Sequence, residues 1–155
     1  MYNPVSDARI WVGYQMRACI FVSFHRFLSN FVTEILNRMD KNLFKTIDFT
    51  IRTEALYANV NLMREDIMQR FGIGRHRLNN LLNAHTNGMT FPQYINAIRM
   101  EVAYDLLTSH PEMTITDVAR HVGFTAPNLR EQFKRCYGIT PAEYRSGLLS
   151  DLEDL

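Results

Sequence analysis

Two stretches of this chain carry side chains suited to reading and gripping a nucleic acid. After Gly72 come Arg75, His76, Asn79 and Asn80; after Gly123 come Asn128, Arg130, Glu131, Lys134 and Arg135. An Asn carboxamide can pair bidentately with adenine N6 and N7, Arg and Lys neutralise phosphates, and Glu can accept from cytosine N4. This chemistry is recognition rather than bond-making. No Gly-rich phosphate loop, GxSxG or HExxH occurs. The five His residues never fall three or four positions from one another or from a Cys, the spacing that a ligand pair on one helix face requires. Cys19 and Cys136 form no CxxC and read as reduced thiols in a cytoplasmic protein. The expectation is a protein that is not an enzyme and holds no metal or cofactor.

The elements that must position these side chains are visible as a repeat. Met68 to Gly72, followed by Arg75 to Leu82, has a near copy 51 residues later in Ala119 to Gly123, followed by Ala126 to Phe133. In each copy a short amphipathic helix runs into a Gly, and a second helix carries a Leu six positions after that Gly. This is the helix-turn-helix pattern, whose second helix enters the major groove of DNA. An Asn on a solvated helix face is by itself uninformative. Its placement in two equivalent units is what gives it meaning, and double-stranded DNA is the partner implied.

Seventeen basic and sixteen acidic side chains leave a formal net charge of +1, so charge placement matters more than its sum. From Gly72 to Met100 the basic residues Arg75, Arg77 and Arg99 meet no acid, and Arg120, Arg130, Lys134 and Arg135 in the second copy face only Glu131. The acids gather at Glu65, Asp66, Glu101, Asp105, Glu112 and the tail Asp151 to Asp154. At 155 residues, 46% of them hydrophobic, the chain has room for one principal domain and an attachment.

The attachment is the segment 1–42. Phe21, Phe24, Leu28, Phe31 and Ile35 follow the alternating three-and-four spacing of a helix seam, widened by Ile20, Phe27 and Val32. Arg17, His25, Arg26, Asn30 and Glu34 interrupt it, so it predicts neither a membrane span nor a signal peptide. Three uses stay open: a helix folded onto its own domain, a homodimer through this helix, or the remnant of an upstream region. Lys41-Asn42 marks a weak boundary, beyond which Leu43, Phe44, Ile47, Ile51 and Leu56 predict a separate helix closing near Tyr57-Ala58-Asn59. Further helices are expected over Arg64 to Phe71, from Arg75 onward, and over about 91–107, with helix-turn-helix units at about 63–86 and 114–136. Thr114 with Asp117, and Thr140 with Pro141 and Glu143, are helix start signals. No strand-like alternation interrupts the series.

The stretches Phe91-Pro92-Gln93-Tyr94-Ile95, Val118-Ala119-Arg120-His121-Val122-Gly123-Phe124, Phe133-Lys134-Arg135 and Tyr137-Gly138-Ile139-Thr140-Pro141-Ala142-Glu143-Tyr144-Arg145 resemble the DNA-binding domain of AraC/XylS-type bacterial transcription regulators. The resemblance implies an all-α fold over 43–148, two helix-turn-helix subdomains joined by a long linker helix, with residues 149–155 an acidic tail. It also implies that the nine polar residues named at the outset contact DNA, and that an exposed surface engages RNA polymerase. The chain departs from the family pattern in places. The turn between Gly123 and Leu129 is one residue short, Glu131 stands where an Arg is common, Met63 replaces a Ser or Thr cap, and Met68 stands where a small Ala is usual. Arg99 is read as touching a phosphate or pairing with an acid of its own domain; Phe91, Phe124, Phe133, Tyr137 and Tyr144 are read as core. The alternative function is a protein-interaction module whose degenerate helix-turn-helix units no longer read DNA.

Overall fold

The computed structural model describes the backbone of residues 4–153 and the side chains of residues 28–147. The described residues form seven α-helices, one 3-10 turn and no strand. They divide into two compact units, residues 1–42 and 43–155.

Helix α1 (Pro4–Thr53) differs from the sequence expectation, because one helix of 50 residues replaces a seam and a second helix. After Pro4 this stretch has no further Pro and only Gly13, and Lys41-Asn42 costs a few tenths of a kcal/mol at most in propensity. Propensity that weak cannot stop a helix already propagating. In the first unit Leu28, Phe31, Val32, Ile35, Leu36 and Met39 are exposed, and Glu34 pairs with Arg38 one turn on at 3.7 Å. The seam residues Phe21 and Phe24, with Cys19, have side chains outside the described residues.

In the second unit α1 ends at Thr53, earlier than expected, and the chain turns through Ala55, whose φ of 50° is left-handed. A 3-10 turn (Leu56–Ala58) follows and buries Tyr57. Then come α2 (Arg64–Phe71), α3 (Arg75–His85), the long α4 (Phe91–Ser109), α5 (Ile115–His121), α6 (Ala126–Tyr137) and α7 (Pro141–Glu153).

Helix starts are fixed by local bonds that the sequence largely announces. The Asp117 N–H donates to Thr114 Oγ1 at 3.1 Å. At α7 the Thr140 N–H donates to Glu143 Oε2 at 2.7 Å and the Glu143 N–H donates back to Thr140 Oγ1 at 3.2 Å, a reciprocal box. Without a hydroxyl at Met63, α2 uses half of that device: the Met63 N–H donates to Asp66 Oδ2 at 2.8 Å. Thr90 and Thr125 stand at the N-caps of α4 and α6.

Helix α4 is the shared wall of two hydrophobic cores. Phe91, Tyr94, Ile95 and Ile98 join Ile47, Ile51, Tyr57, Ile67, Leu78, Leu81 and Leu82 in the first. Met100, Ala103 and Leu107 join Val118, Ala119, Val122, Leu129 and Phe133 in the second. Each Leu, Ile, Val, Phe or Met among them, once buried, contributes about 1.5–3 kcal/mol. Arg99 stands between the two sets and is 8% exposed. Among the described residues it pairs with no acid, which corrects that expectation, and its burial leaves little surface for a phosphate. Its Nε donates to the Tyr57 carbonyl at 2.7 Å, its Nη2 donates to the Asn59 carbonyl at 2.9 Å, and its guanidinium lies 5.1 Å from the Phe124 ring centre. Burial holds its pKa below the ordinary Arg value. The end of α1 is tied to α4 as well, since Arg52 meets Asp48 at 3.1 Å and Glu101 at 2.8 Å, and the Tyr94 hydroxyl donates to Asp48 Oδ1 at 2.5 Å.

Tyr144 packs in the second core as expected, its ring 4.9 Å from Tyr104 and 5.8 Å from Phe133. Tyr137 is more open than a core reading implies, 42% exposed with one face on Phe133 at 4.5 Å.

The two helix-turn-helix turns repeat each other in register. Gly72 (φ 60°) and Gly123 (φ 76°) both adopt the left-handed region, and the residue after each donates its N–H five residues back, Ile73 to Met68 at 3.0 Å and Phe124 to Ala119 at 2.8 Å. They differ in surroundings. A Cβ on Gly123 would stand 2.5 Å from the Ala58 carbonyl oxygen, whereas one on Gly72 would meet nothing within 4 Å. Gly72→Ala should therefore lose only the backbone cost, about 1–2 kcal/mol, while Gly123→Ala loses that and the overlap with Ala58. Urea unfolding of the two variants checks this, and equal losses would mean that the 3-10 turn yields freely.

Candidate nucleic-acid interface

Helix α3 is amphipathic by position: Leu78, Leu81 and Leu82 are buried while Arg75, His76, Asn79 and Asn80 are exposed. Its N-cap is Gly74, whose backbone is extended, so no side chain occupies the helix entrance. Arg75 is held loosely by Glu65 at 3.7 Å; Glu65 also takes Arg64 at 2.9 Å, and these cations hold its carboxyl below the usual carboxylate range, Arg64 more than Arg75. Asn79 lines a shallow groove with Arg64, Asn83, Met89 and the start of α4. Asn83 was not among the residues singled out, although it lies one turn beyond Asn79 and is exposed beside it. The i,i+4 spacing was the available signal.

Helix α6 repeats the arrangement. Leu129 and Phe133 are buried, and Asn128, Arg130, Glu131, Lys134 and Arg135 are exposed. Thr125 caps the helix by accepting from the Asn128 N–H at 3.4 Å. The turn that is short by the family pattern folds without distortion because it has the length of the first one: Gly72, Gly74, Arg75 and Leu78 correspond to Gly123, Thr125, Ala126 and Leu129 at the constant offset of 51. Among the described residues no ion pair involves Arg130, Lys134 or Arg135, whereas Arg52, Arg64, Arg70 and Arg120 pair with carboxylates of their own unit. The cations of α6 thus remain available while those four are internally neutralised. Glu131 adds one negative charge to this face, with no salt bridge among the described residues.

Two helix-turn-helix units sharing one linker helix, each with a polar second helix, define a tandem DNA-binding domain. A family model described as a helix-turn-helix domain matches residues 67–147. This chain belongs to that family, the AraC-type helix-turn-helix proteins. It is 32% identical over 82 residues to the HTH-type transcriptional activator RhaS of Escherichia coli O157:H7, a match covering 52% of this chain and 29% of that protein. The matched region is thus under a third of the length of this relative. Among solved structures, the C-terminal domain of the two-component response regulator yesN from Fusobacterium nucleatum is 27% identical, with a TM-score of 0.57 over 67% of this chain and 98% of that one. The DNA-binding domain of AdpA, a global transcriptional factor solved in complex with a target DNA, shares the fold at 21% identity and a TM-score of 0.59, over 70% of this chain and 94% of that one.

Because the nine site residues are exposed and lie off the cores, replacing any one with Ala should change stability by no more than about 0.5 kcal/mol. Arg99→Ala, which strips two backbone carbonyls of their donor, should lose roughly 1–3 kcal/mol for each group left buried and unpaired. Thermal unfolding of the set separates the two classes, and a strongly destabilised Asn80→Ala would mean that the α3 face serves the fold.

Proposed function

We propose that this chain is a sequence-specific DNA-binding transcription regulator that reads two successive major-groove segments with α3 and α6. The observation that carries the reading is the constant offset of 51 residues, which gives both units the same turn and sets an exposed polar face opposite an apolar anchor in each second helix. Phosphate contacts would hold register and base-edge contacts would specify sequence. His76, Asn79, Asn80 and Arg75 form the reading set of α3. On α6, Asn128 and Glu131 face bases, and Arg130, Lys134 and Arg135 clamp the backbone. Family membership supports the partner, and the names of the relatives support the role in transcription. Engagement of RNA polymerase and a cytoplasmic setting belong to the same reading through the family resemblance. No helix among the described residues is long and apolar enough to cross a membrane. Selection from a random duplex pool, followed by a salt titration, tests the proposal: affinity should fall steeply with salt, whereas salt-independent association with another protein would replace it by an interaction module.

Within this reading Asn79→Ala should lose about 1–3 kcal/mol on the selected site and relax preference at one position. Arg130→Ala and Lys134→Ala should instead weaken all duplexes alike and flatten the salt dependence by about one unit per lost contact. Electrophoretic or fluorescence titrations on selected and scrambled duplexes distinguish them, and a salt slope unchanged in Arg130→Ala removes that residue from the clamp.

We also propose that the first unit pairs with a second copy of itself. The seam spacing is that of a coiled coil, which is self-complementary, and Leu28, Phe31 and Ile35 on it are 43%, 53% and 43% exposed. Two chains held together would gain avidity for a two-site operator. Leu28→Glu with Phe31→Glu should convert a dimer to a monomer in sedimentation experiments. A wild-type chain that stays monomeric at all concentrations would end this part of the reading.

A further inference from the structure

We propose that the face of α4 between the two helix-turn-helix units is a third DNA contact, an anion-binding groove that takes the phosphodiester backbone of the duplex between the two major-groove segments. It rests on the DNA-binding reading above and adds a site to it.

The groove is floored by Gln93, Asn96 and Met100 of α4 and walled by Met89 on one side and by Gln132 and Arg135 of α6 on the other. No carboxylate lines it. The orientation of its two α4 amides is set by bonds to neighbours on α4 and its cap. Gln93 Oε1 accepts from the Thr90 N–H at 2.9 Å and from the Thr90 hydroxyl at 2.8 Å. Asn96 Oδ1 accepts from Arg99 Nη1 at 3.5 Å, a longer bond. A backbone N–H and a guanidinium can only donate, so these contacts engage the carbonyl end of each amide with Thr90 or Arg99. What remains for a partner is an NH2 group with donors only. Gln93 and Asn96 are three residues apart, hence neighbours on one helical face.

A surface with amide donors, one guanidinium and no acid suits a ligand that is anionic and accepts hydrogen bonds through several oxygens. The backbone of duplex DNA is such a ligand, and about half to two-thirds of protein–DNA hydrogen bonds go to phosphate and sugar. A groove flanked by α6 on one side and by the loop after α3 on the other lies between the two helices that the reading above assigns to the major groove. The contact would carry register and affinity but no sequence preference.

The test exploits the engaged carbonyls. Gln93→Glu and Asn96→Asp exchange an NH2 group for an oxygen of nearly the same size, and each carboxylate still accepts from Thr90 or Arg99. The fold is kept, while the outward donor becomes an anionic acceptor. Each variant should retain the wild-type unfolding midpoint and bind the selected duplex and an unrelated duplex weaker by the same factor, roughly tenfold or more. Methylphosphonate linkages at the central backbone should weaken the wild-type protein and abolish the difference between it and Gln93→Glu. If wild type binds DNA and both variants bind equally well, the groove is not a contact and the two-helix reading stands. A loss confined to the selected duplex would make these amides base readers and overturn the proposal. Failure of wild type to bind any duplex removes the function itself and this site with it. Should Gln93→Glu lower the unfolding midpoint, Gln132→Glu on the opposite wall, which disturbs no cap, gives the same decision.

Discussion

The buried guanidinium of Arg99 is the interaction on which the second unit depends. It sits where α4 passes from one hydrophobic core to the other, and it binds the carbonyls of Tyr57 and Asn59 while lying against Phe124. A buried cation without hydrogen-bond acceptors would be expensive. The 3-10 turn after α1 supplies those acceptors, and it also packs its Ala58 carbonyl where only a glycine fits, at Gly123. The turn of the second helix-turn-helix is therefore braced by residues that precede the first. Two units that could each be a loose three-helix cluster acquire a fixed common wall.

That bracing gives the electrostatics their consequence. A net charge of +1 is unpromising for a polyanion ligand only if charge is averaged over the surface. In the folded second unit Arg52, Arg64, Arg70 and Arg120 are satisfied by carboxylates close by. Such exposed pairs add little stability, with a median of about 0–1 kcal/mol. Their effect is to withdraw charge from the surface, leaving the cations of α6 and the amides of α3 and α4 among the polar groups still available to a partner. Glu131 tempers this on α6 and makes that helix a less uniform phosphate surface than its Arg and Lys content suggests.

The first unit follows a different constraint. Its helix exposes Leu28, Phe31, Val32, Ile35, Leu36 and Met39. No break separates it from the residues that enter the first core, because the chain there has neither a Pro nor a Gly to end a helix.

By itself the sequence determined the all-α class, both helix-turn-helix units, the buried anchors Leu78, Leu129 and Phe133, the caps at Thr114 and Thr140, and the exposed set on α3 and α6. Each of these rests on local periodicity, on capping chemistry or on the repeat, which are properties of neighbouring residues. The continuous α1 was not legible, because a short dip in propensity at Lys41-Asn42 looks the same whether or not a helix ends there. Arg99 was misread because its partners are backbone carbonyls some 40 residues away, and carbonyls leave no trace in residue type. The hold on the Gln93 and Asn96 oxygens is local, since Thr90 and Arg99 each lie three residues away on the same helix or its cap; what only the tertiary structure decided is that both amides border the groove walled by α6, because α6 is brought there by packing and not by spacing.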